Sequence, residues 1–412
     1  MPVDFARIPP RETVPDVSRL SILGWGLLLC LLTVACATMA VFIWPGAKSD
    51  IVLFWFCAIA LPIFTWSFLL CCRIAYLYGR INSALATNKT CDAIEARCHV
   101  SSSEPLAVVG HVWKFSSDEE ENALDGLVEG KTKLRPVSSR TTPNTDVIAR
   151  WLDVPGREFY AGNALTEHAR QMVVCKWLLN EMVSALASQL RALPSRVSMK
   201  VELCIDSMLD AAGVGETVLV LLKKGLRTPH ITLTSPVREL SLFRADSWFD
   251  DMHPDSIHLL VAVQLRNAVS ETLANGVAES GSMLLVSSPS MAQRLGEKFP
   301  LWLHRPVKGT LDKLPETLEL AICWGRASSD EVGTTWLTGL SEEATRTIRS
   351  SSQFGSKTGN VSLDTSVGNV GIGRAWLATT LGAANAAATE KPQLVIVQEG
   401  NDLLALVCER QI

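Results

Sequence analysis

The sequence predicts an α/β protein whose layered domain follows an N-terminal two-helix transmembrane hairpin. Three observations lead there. Two uncharged apolar runs, Leu20–Trp44 and Ile51–Cys72, stand back to back near the N-terminus. Beyond them, strand-like apolar runs alternate with stretches of helical periodicity, the pattern of α/β layers. The chain then closes on two further strands, Gln393–Gln398 and Leu403–Glu409, turned by Gly400-Asn401-Asp402, a composition that favours a tight hairpin.

A bilayer core of about 30 Å needs roughly 20 apolar residues in a helix, and both runs reach that length. The loop Pro45–Asp50 is just long enough to turn the chain. Trp25, Trp44, Trp55 and Tyr76 lie near span ends, where amphipathic rings favour the interface. Pro62, inside the second run, removes one backbone donor and is placed to kink that helix. Arg7, Arg11 and Arg19 precede the first run, and Arg73, Arg80, Lys89 and Arg97 follow the second, whereas the loop holds only Lys48. Positive flanks stay on the cytoplasmic side, so a two-pass inner (plasma) membrane protein with both termini cytoplasmic is expected. The first run is too long for the apolar core of a cleaved signal peptide, and a second span follows at once.

Residues 1–19 form a proline-containing tail, 20–72 the hairpin, 73–97 a polar helical stalk, and 98–412 the cytoplasmic domain. A net charge of −4 over 412 residues leaves no basic footprint for nucleic acid. Five of eleven cysteines, Cys30, Cys36, Cys57, Cys71 and Cys72, lie in the spans. The others are scattered and form no CxxC pair, which points to free thiols in a reducing compartment. Cys91 and Cys98 have no partner spacing for a metal.

In chain order, Leu106–Phe115 has strand composition. Asp118–Gly130 opens acidic and continues with helical spacing, as suits a positive helix N-terminus. Lys131–Thr145 reads as loop. A long helix runs from Thr166, its expected N-cap, to Leu193, with Glu167 and Glu181 on its polar side and Pro194 as its stop. Val197–Cys204 is a strand and Glu216–Lys224 a helix closed by Gly225. His230–Thr234 is a short strand, and Ile257–Leu265, continuously apolar, is a buried one. Met283–Val286 and Trp302–Val307 are strands around a short helix, Pro289–Gly296. Leu314–Ile322 reads as a helix leading into a strand. Gly333–Leu337 is a strand, Ser341–Ser350 a helix capped by Ser341, and Gly371–Ala388 a helix of small residues suited to close packing. The order of elements repeats, with a division expected near Asp255.

Several of these stretches together resemble the thiolase-like superfamily, nearest to β-ketoacyl synthases. LAVVGHVWKF followed by ENALDGLVEGKTKLRPV is similar to the family's opening strand, helix and "GKSGIRPI"-like run. The Thr166–Leu193 helix and Val197–Cys204 strand resemble the next pair. AESGSMLLVSS (Ala278–Ser288), LPETLELAICWG (Leu314–Gly325) and SVGNVGIGRAWLATTLGAANA (Ser366–Ala386) resemble a mid-chain strand, the unit ending in "EAHGTGT" and the "GHxxxAAG" loop and helix. The final hairpin resembles the "NAHVILE" ending. The likeness covers residues 98–412. It implies a cysteine nucleophile at a strand–helix elbow with two histidines, or His and Asn, beside it, a constellation suited to acyl transfer. That pattern does not carry over. Trp324 stands at the first histidine position, Asn369 at the second, and the expected elbow, His230–Asp246, holds no cysteine.

Other constellations favour bland readings. Asp250, Asp251, His253, Asp255 and His258 read as a capped loop feeding a strand, with no third ligand group at metal spacing. Cys204 reads as a buried strand-end thiol. Gly368–Gly373 reads as a helix start rather than a phosphate loop. Ser287–Ser290 is no nucleophile elbow, and Glu119–Glu121 is a solvated helix start. Trp113, Trp151, Trp177, Trp248 and Trp336 are core or rim residues.

No catalytic, cofactor or metal residue is therefore assigned. The reading that results is a membrane-anchored, non-catalytic adapter or scaffold. Its partners are the lipid bilayer, a protein and, as a further option, a second copy of the chain. Adapters that load effectors for bacterial type VI secretion are the nearest analogue the resemblance implies. The alternatives are a membrane-bound acyl-transferring or condensing enzyme using Cys204 or Cys323, and a structural subunit of an inner-membrane complex. Reporter fusions test the orientation: a fusion at Ile412 should be active in the cytoplasm, and one at Ser49 only outside it.

Overall fold

The computed structural model describes residues 5, 8–15, 21–43, 51–225, 230–296, 300–350 and 359–410. Two compact units divide the chain, Val3–His99 and Val100–Ile412.

The first unit carries two helices long and apolar enough to cross a membrane, Ile22–Ile43 and Ile51–Ser102. Their large apolar side chains point outward: Leu23 is 88% exposed and Phe42 89%. The expected loop Pro45–Asp50, with Leu20 and Trp44, lies outside the described residues. The second helix widens to a π turn over Phe56–Ala60, where the Leu61 N–H reaches the Phe56 carbonyl. That turn directly precedes Pro62, which has no N–H to give and whose ring crowds the carbonyl four residues back. From Leu61 to Ser102 the helix is unbroken, so the expected stalk continues the second run without a joint. Trp66 Nε1 donates to the Trp25 carbonyl at 2.8 Å and ties the two helices together. Residues 8–15 lie along the second helix. Arg11 pairs with Asp92 and Glu95 at 2.8 and 2.9 Å, and Asn88 exchanges two hydrogen bonds with Glu12.

The second unit is built on one sheet. Its strands in chain order are β1 (Leu106–Lys114), β2 (Pro136–Ser138), β3 (Asp146–Ile148), β4 (Ser198–Asp206), β5 (His230–Leu233), β6 (Ser256–Gln264), β7 (Ser280–Ser287), β8 (Leu301–Leu303), β9 (Val307–Thr310), β10 (Thr334–Thr338), β11 (Gly359–Ser362), β12 (Gln393–Glu399) and β13 (Asp402–Arg410). The β2–β3 pair stands apart. The rest run β11-β10-β12-β13-β8-β1-β7-β6-β4-β5, with β9 continuing β8 alongside β13. Outward from the β1–β8 seam, both halves have the same order. A first strand lies next to an antiparallel last one, followed by parallel fourth, second and third strands. The seam itself is antiparallel, Leu106 opposite Leu303. The repeat therefore divides between Ser287 and Leu301, later than the division expected near Asp255. Asp255 precedes β6, which pairs with β7 inside the first half.

Side chains of β6 alternate between two cores. Leu260 and Ala262 join the cluster around the helix Arg374–Thr389. Ile257, Leu259, Val261 and Val263 join the cluster under the helices Ala164–Ala185 and Ala211–Gly225. A strand covered on both faces buries every position, so apolar residues are needed on both sides and the run shows no alternation, with Ser256, His258 and Gln264 as its buried polar exceptions. The helix Arg374–Thr389 is the most enclosed in the fold, with Ala375 to Ala386 buried without interruption.

Several sequence expectations are corrected. Leu314–Trp324 is helical throughout, with Gly325 as its C-cap; the strand follows only at β10. Of Asp118–Gly130, only Leu124–Val128 is helical. Asn163, not Thr166, caps the long helix, accepting from the Leu165 and Thr166 N–H groups. Glu167, expected on the polar side, is fully buried.

Glu167 is buried because it belongs to an ionic cluster under the first-half sheet. Arg170 Nε donates to Glu167 at 2.8 Å, and its two terminal nitrogens grip Glu279. Glu279 also accepts from the backbone of Leu152 and Arg266 at 2.8 and 2.7 Å, and Glu167 from Val269 at 2.7 Å. Burial pushes the Glu279 carboxyl up, against the pull of Arg170. Removing the single cation strands two buried acids, which costs about 3–5 kcal/mol. Arg170→Met should therefore lower the denaturant midpoint sharply.

A candidate site at the strand ends

A cleft of about 490 Å3 opens in the second unit. Asp206, the last residue of β4, lines it. So do Glu239–Ser241, on the segment from β5 to the helix Arg244–Asp251. Asn369 to Ala375, entering the helix Arg374–Thr389, form a third wall, and Glu399-Gly400, at the β12–β13 turn, a fourth. Strand ends meeting helix starts are where α/β sheets commonly hold ligands.

Local chemistry fixes each wall. Gly371 has φ +54°, and a Cβ there would come within 2.4 Å of Gln264 Oε1, so glycine alone fits. That oxygen accepts from the Ile372 N–H at 3.2 Å, while Gln264 Nε2 donates to Asp206 at 2.7 Å. Gln264 thus clips the loop to the end of β4. Asn369 Oδ1 accepts from the Gly371 N–H at 2.9 Å, and its backbone bridges to Val277; the side chain shapes its own turn. Glu399 accepts from the Leu242 N–H at 2.9 Å, and Ser241 Oγ from the Phe243 N–H at 3.1 Å. Arg374 donates to the Gln398 carbonyl at 3.1 Å.

Behind the cleft, Trp376 stacks on Trp248 with centroids 5.2 Å apart and donates Nε1 to the Leu240 carbonyl at 2.8 Å. Arg305, at the break between β8 and β9, holds the helix of Trp248 through Asp246 and Asp250 at 2.7 and 2.9 Å. His258 packs edge-on to Trp248. Burial, with help from Lys200, pulls its imidazole down to about 4.

The expected elbow, His230–Asp246, does form a wall of the cleft. Among the described residues, no cysteine and no histidine lines it. Cys204 lies in β4 with no exposure; its thiol faces the Arg238 carbonyl at 3.9 Å, and burial pushes it up to about 12. A thiol so protonated is a poor nucleophile. Cys323 is exposed in the last turn of its helix. Trp324 shares that turn and is not at the cleft. Of the two expected histidine positions, only Asn369 reaches it. The acidic cluster is dispersed: Asp250 pairs with Arg305, Asp255 with Arg294, and His258 is buried. No group of three metal-ligating side chains occurs among the described residues. Gly368–Gly373 begins the helix, as expected, and Ser288 caps Pro289–Arg294.

Sequence reasoning missed Glu239, Ser241, Arg374 and Glu399. Glu399-Gly400 at a hairpin turn was the one available signal. The others come together only through the sheet order.

The sheet with its internal repeat is similar in fold to that of solved ketosynthases. No family model and no curated protein matches the sequence. Among solved structures, ketosynthase twelve of the bacillaene polyketide synthase of Bacillus amyloliquefaciens is similar, with TM-score 0.50 and 10% identity over 76% of this chain and 74% of that one. A ketosynthase from module 6 of the bacillaene synthase of Bacillus subtilis 168 gives TM-score 0.51 and 11% identity over 75% of this chain and 70% of that one. At such identity the likeness is one of fold.

The depressed His258 has a consequence for stability. Its folded form resists protonation, so the unfolded chain binds more protons between pH 6.5 and about 4, and stability falls as pH drops through that window. One such group contributes at most about 1.4 kcal/mol per pH unit. His258→Gln should flatten the pH dependence of the denaturation midpoint there.

Proposed function

We propose that the chain is a membrane-anchored, non-condensing ketosynthase-like protein that docks a protein partner. The observation that carries this reading is the cleft. It occupies the strand-end position where the helix of each half begins, yet among the described residues neither thiol nor imidazole lines it. Thioester chemistry needs an activated nucleophile and a base to handle its proton. Ser241 brings a hydroxyl to the cleft with no imidazole in the lining to activate it, and Cys204 is sealed in the sheet.

Anchoring is supported by the apolar, outward-facing surface of the two N-terminal helices. Such a surface is stable in lipid and costly in water. The contact of Arg11 with Asp92 and Glu95 brings the segment before the first helix beside the segment after the second span. That is the arrangement of a hairpin with both ends on one side, and the flanking arginines favour the cytoplasm. Docking of an effector for type VI secretion is the particular form of this reading that the family resemblance implies. A membrane-bound condensing enzyme is the reading it competes with.

The two separate on covalent chemistry. Full-length protein in detergent, incubated with acyl thioesters, should show no acyl adduct by intact mass. Cys204→Ala should cost about 1–2 kcal/mol of stability from the small cavity and leave partner capture unchanged. An adduct mapped to Ser241 or Cys204 would establish the enzyme instead.

A further inference from the structure

We propose that a second pocket, separate from the cleft, binds a phosphomonoester. It measures about 330 Å3 and is lined by Ser116, Lys133, Arg135, Arg140, Arg150 and Asp153, among others. Four cations (Lys133, Arg135, Arg140 and Arg150) meet two carboxylates (Glu121 and Asp153) there, in a chain whose net charge is −4.

The two inner arginines are held in place and left incomplete. Arg150 is only 9% exposed. Its guanidinium stacks on Phe115 at 5.1 Å, and Nη2 donates to the Lys133 carbonyl at 3.2 Å. Its other terminal nitrogen, Nη1, is buried with no hydrogen-bond partner and is held only by a long ion pair, 3.6 Å, to Glu121. Arg140 stacks on Trp151 at 5.2 Å and gives Nη2 to Asp153 at 2.5 Å, while its Nη1 is likewise buried without a hydrogen-bond partner. A buried guanidinium N–H without an acceptor is costly. Two such groups lining one electropositive pocket call for an anionic acceptor.

A phosphate oxygen set fits better than a single carboxylate. Its double charge matches the excess of two cations, and planar guanidinium forks suit its oxygens. Lys133 and Arg135, exposed at the rim, supply the longer-range attraction. Asp153 Oδ1 is buried without a partner as well, and it is an acceptor. It calls for a donor on the ligand, such as a hydroxyl near the phosphate, which a bare anion lacks. A phosphomonoester of a polyol satisfies both demands.

The experiment titrates the full-length protein, in detergent, with glycerol 3-phosphate, inorganic phosphate and sodium chloride at matched ionic strength, read by calorimetry and thermal shift. The ester should bind saturably, phosphate more weakly, and chloride not at all. Arg140→Gln, at a half-buried position, should weaken the ester about tenfold, the loss of one charge-assisted contact. Arg135→Gln, at the exposed rim, leaves the core untouched and should weaken it less and mainly at low salt. Nanodiscs containing phosphatidylinositol 4-phosphate or only phosphatidylcholine identify the source. Competition by the phosphatidylinositol 4-phosphate discs alone marks a lipid headgroup; no competition marks a soluble ester. Equal responses to ester and chloride, or unchanged affinity in a folded Arg140→Gln protein, would overturn the proposal.

Discussion

Everything near the cleft depends on one packing constraint, the burial of the helix Arg374–Thr389 against the sheet. From Ala375 to Ala386 every residue is buried, so the helix must be thin where it meets the strands. A Cβ on Gly382 would sit 3.0 Å from Val395. Alanine, glycine and threonine keep the axis close to the sheet. Thr379 and Thr380 return their hydroxyls to carbonyls one turn back, at 2.8 and 2.7 Å, and so bury no unpaired oxygen. The largest side chain of the helix, Trp376, meets Trp248 of the first half and holds the Leu240 carbonyl. It joins the two halves a second time, away from the β1–β8 seam.

The cleft owes its shape to groups that do no covalent chemistry. What the fold needs there is geometric: a left-handed glycine at 371, an amide clip from Gln264, a carboxylate from Glu399 on the turn before a helix. None of these is a nucleophile. Of the side chains at the opening, Ser241, Asn369 and Arg374 also hydrogen-bond the walls they stand on. A fold and the chemistry it carries vary separately all the same.

The buried charges follow another logic. Arg170 carries two carboxylates and two backbone carbonyls. Arg305 fastens a helix of the first half to the break between two strands of the second. In both, the terminal guanidinium nitrogens are occupied and each carboxylate is matched to a cation, as burial demands. Arg140 and Arg150 fit that rule less well: Arg140 Nη1 has no partner, and Arg150 Nη1 makes no hydrogen bond and has only the 3.6 Å ion pair with Glu121. The matched clusters hold the fold, whereas the incomplete one is where a ligand can complete the pairing.

Much of this was legible from sequence because it rests on short-range regularities. The two long apolar runs, the mostly apolar β6, the cap at Ser341 and the small-residue helix each follow from local composition. The family likeness followed from the order of such pieces, and the lack of a cysteine in His230–Asp246 was visible residue by residue. The apolar stretch Leu314–Trp324 misled, since an all-helical segment and a helix running into a strand share the same composition over so few residues. Glu167 misled because a helix's polar stripe looks alike whether it meets water or a buried arginine whose second carboxylate lies 109 residues away. Where the halves divide, which loops meet at the cleft and which guanidinium nitrogen lacks a hydrogen bond were decided by tertiary structure alone. Each depends on strand order and on contacts between residues far apart in the chain, and a sequence carries no direct record of those distances.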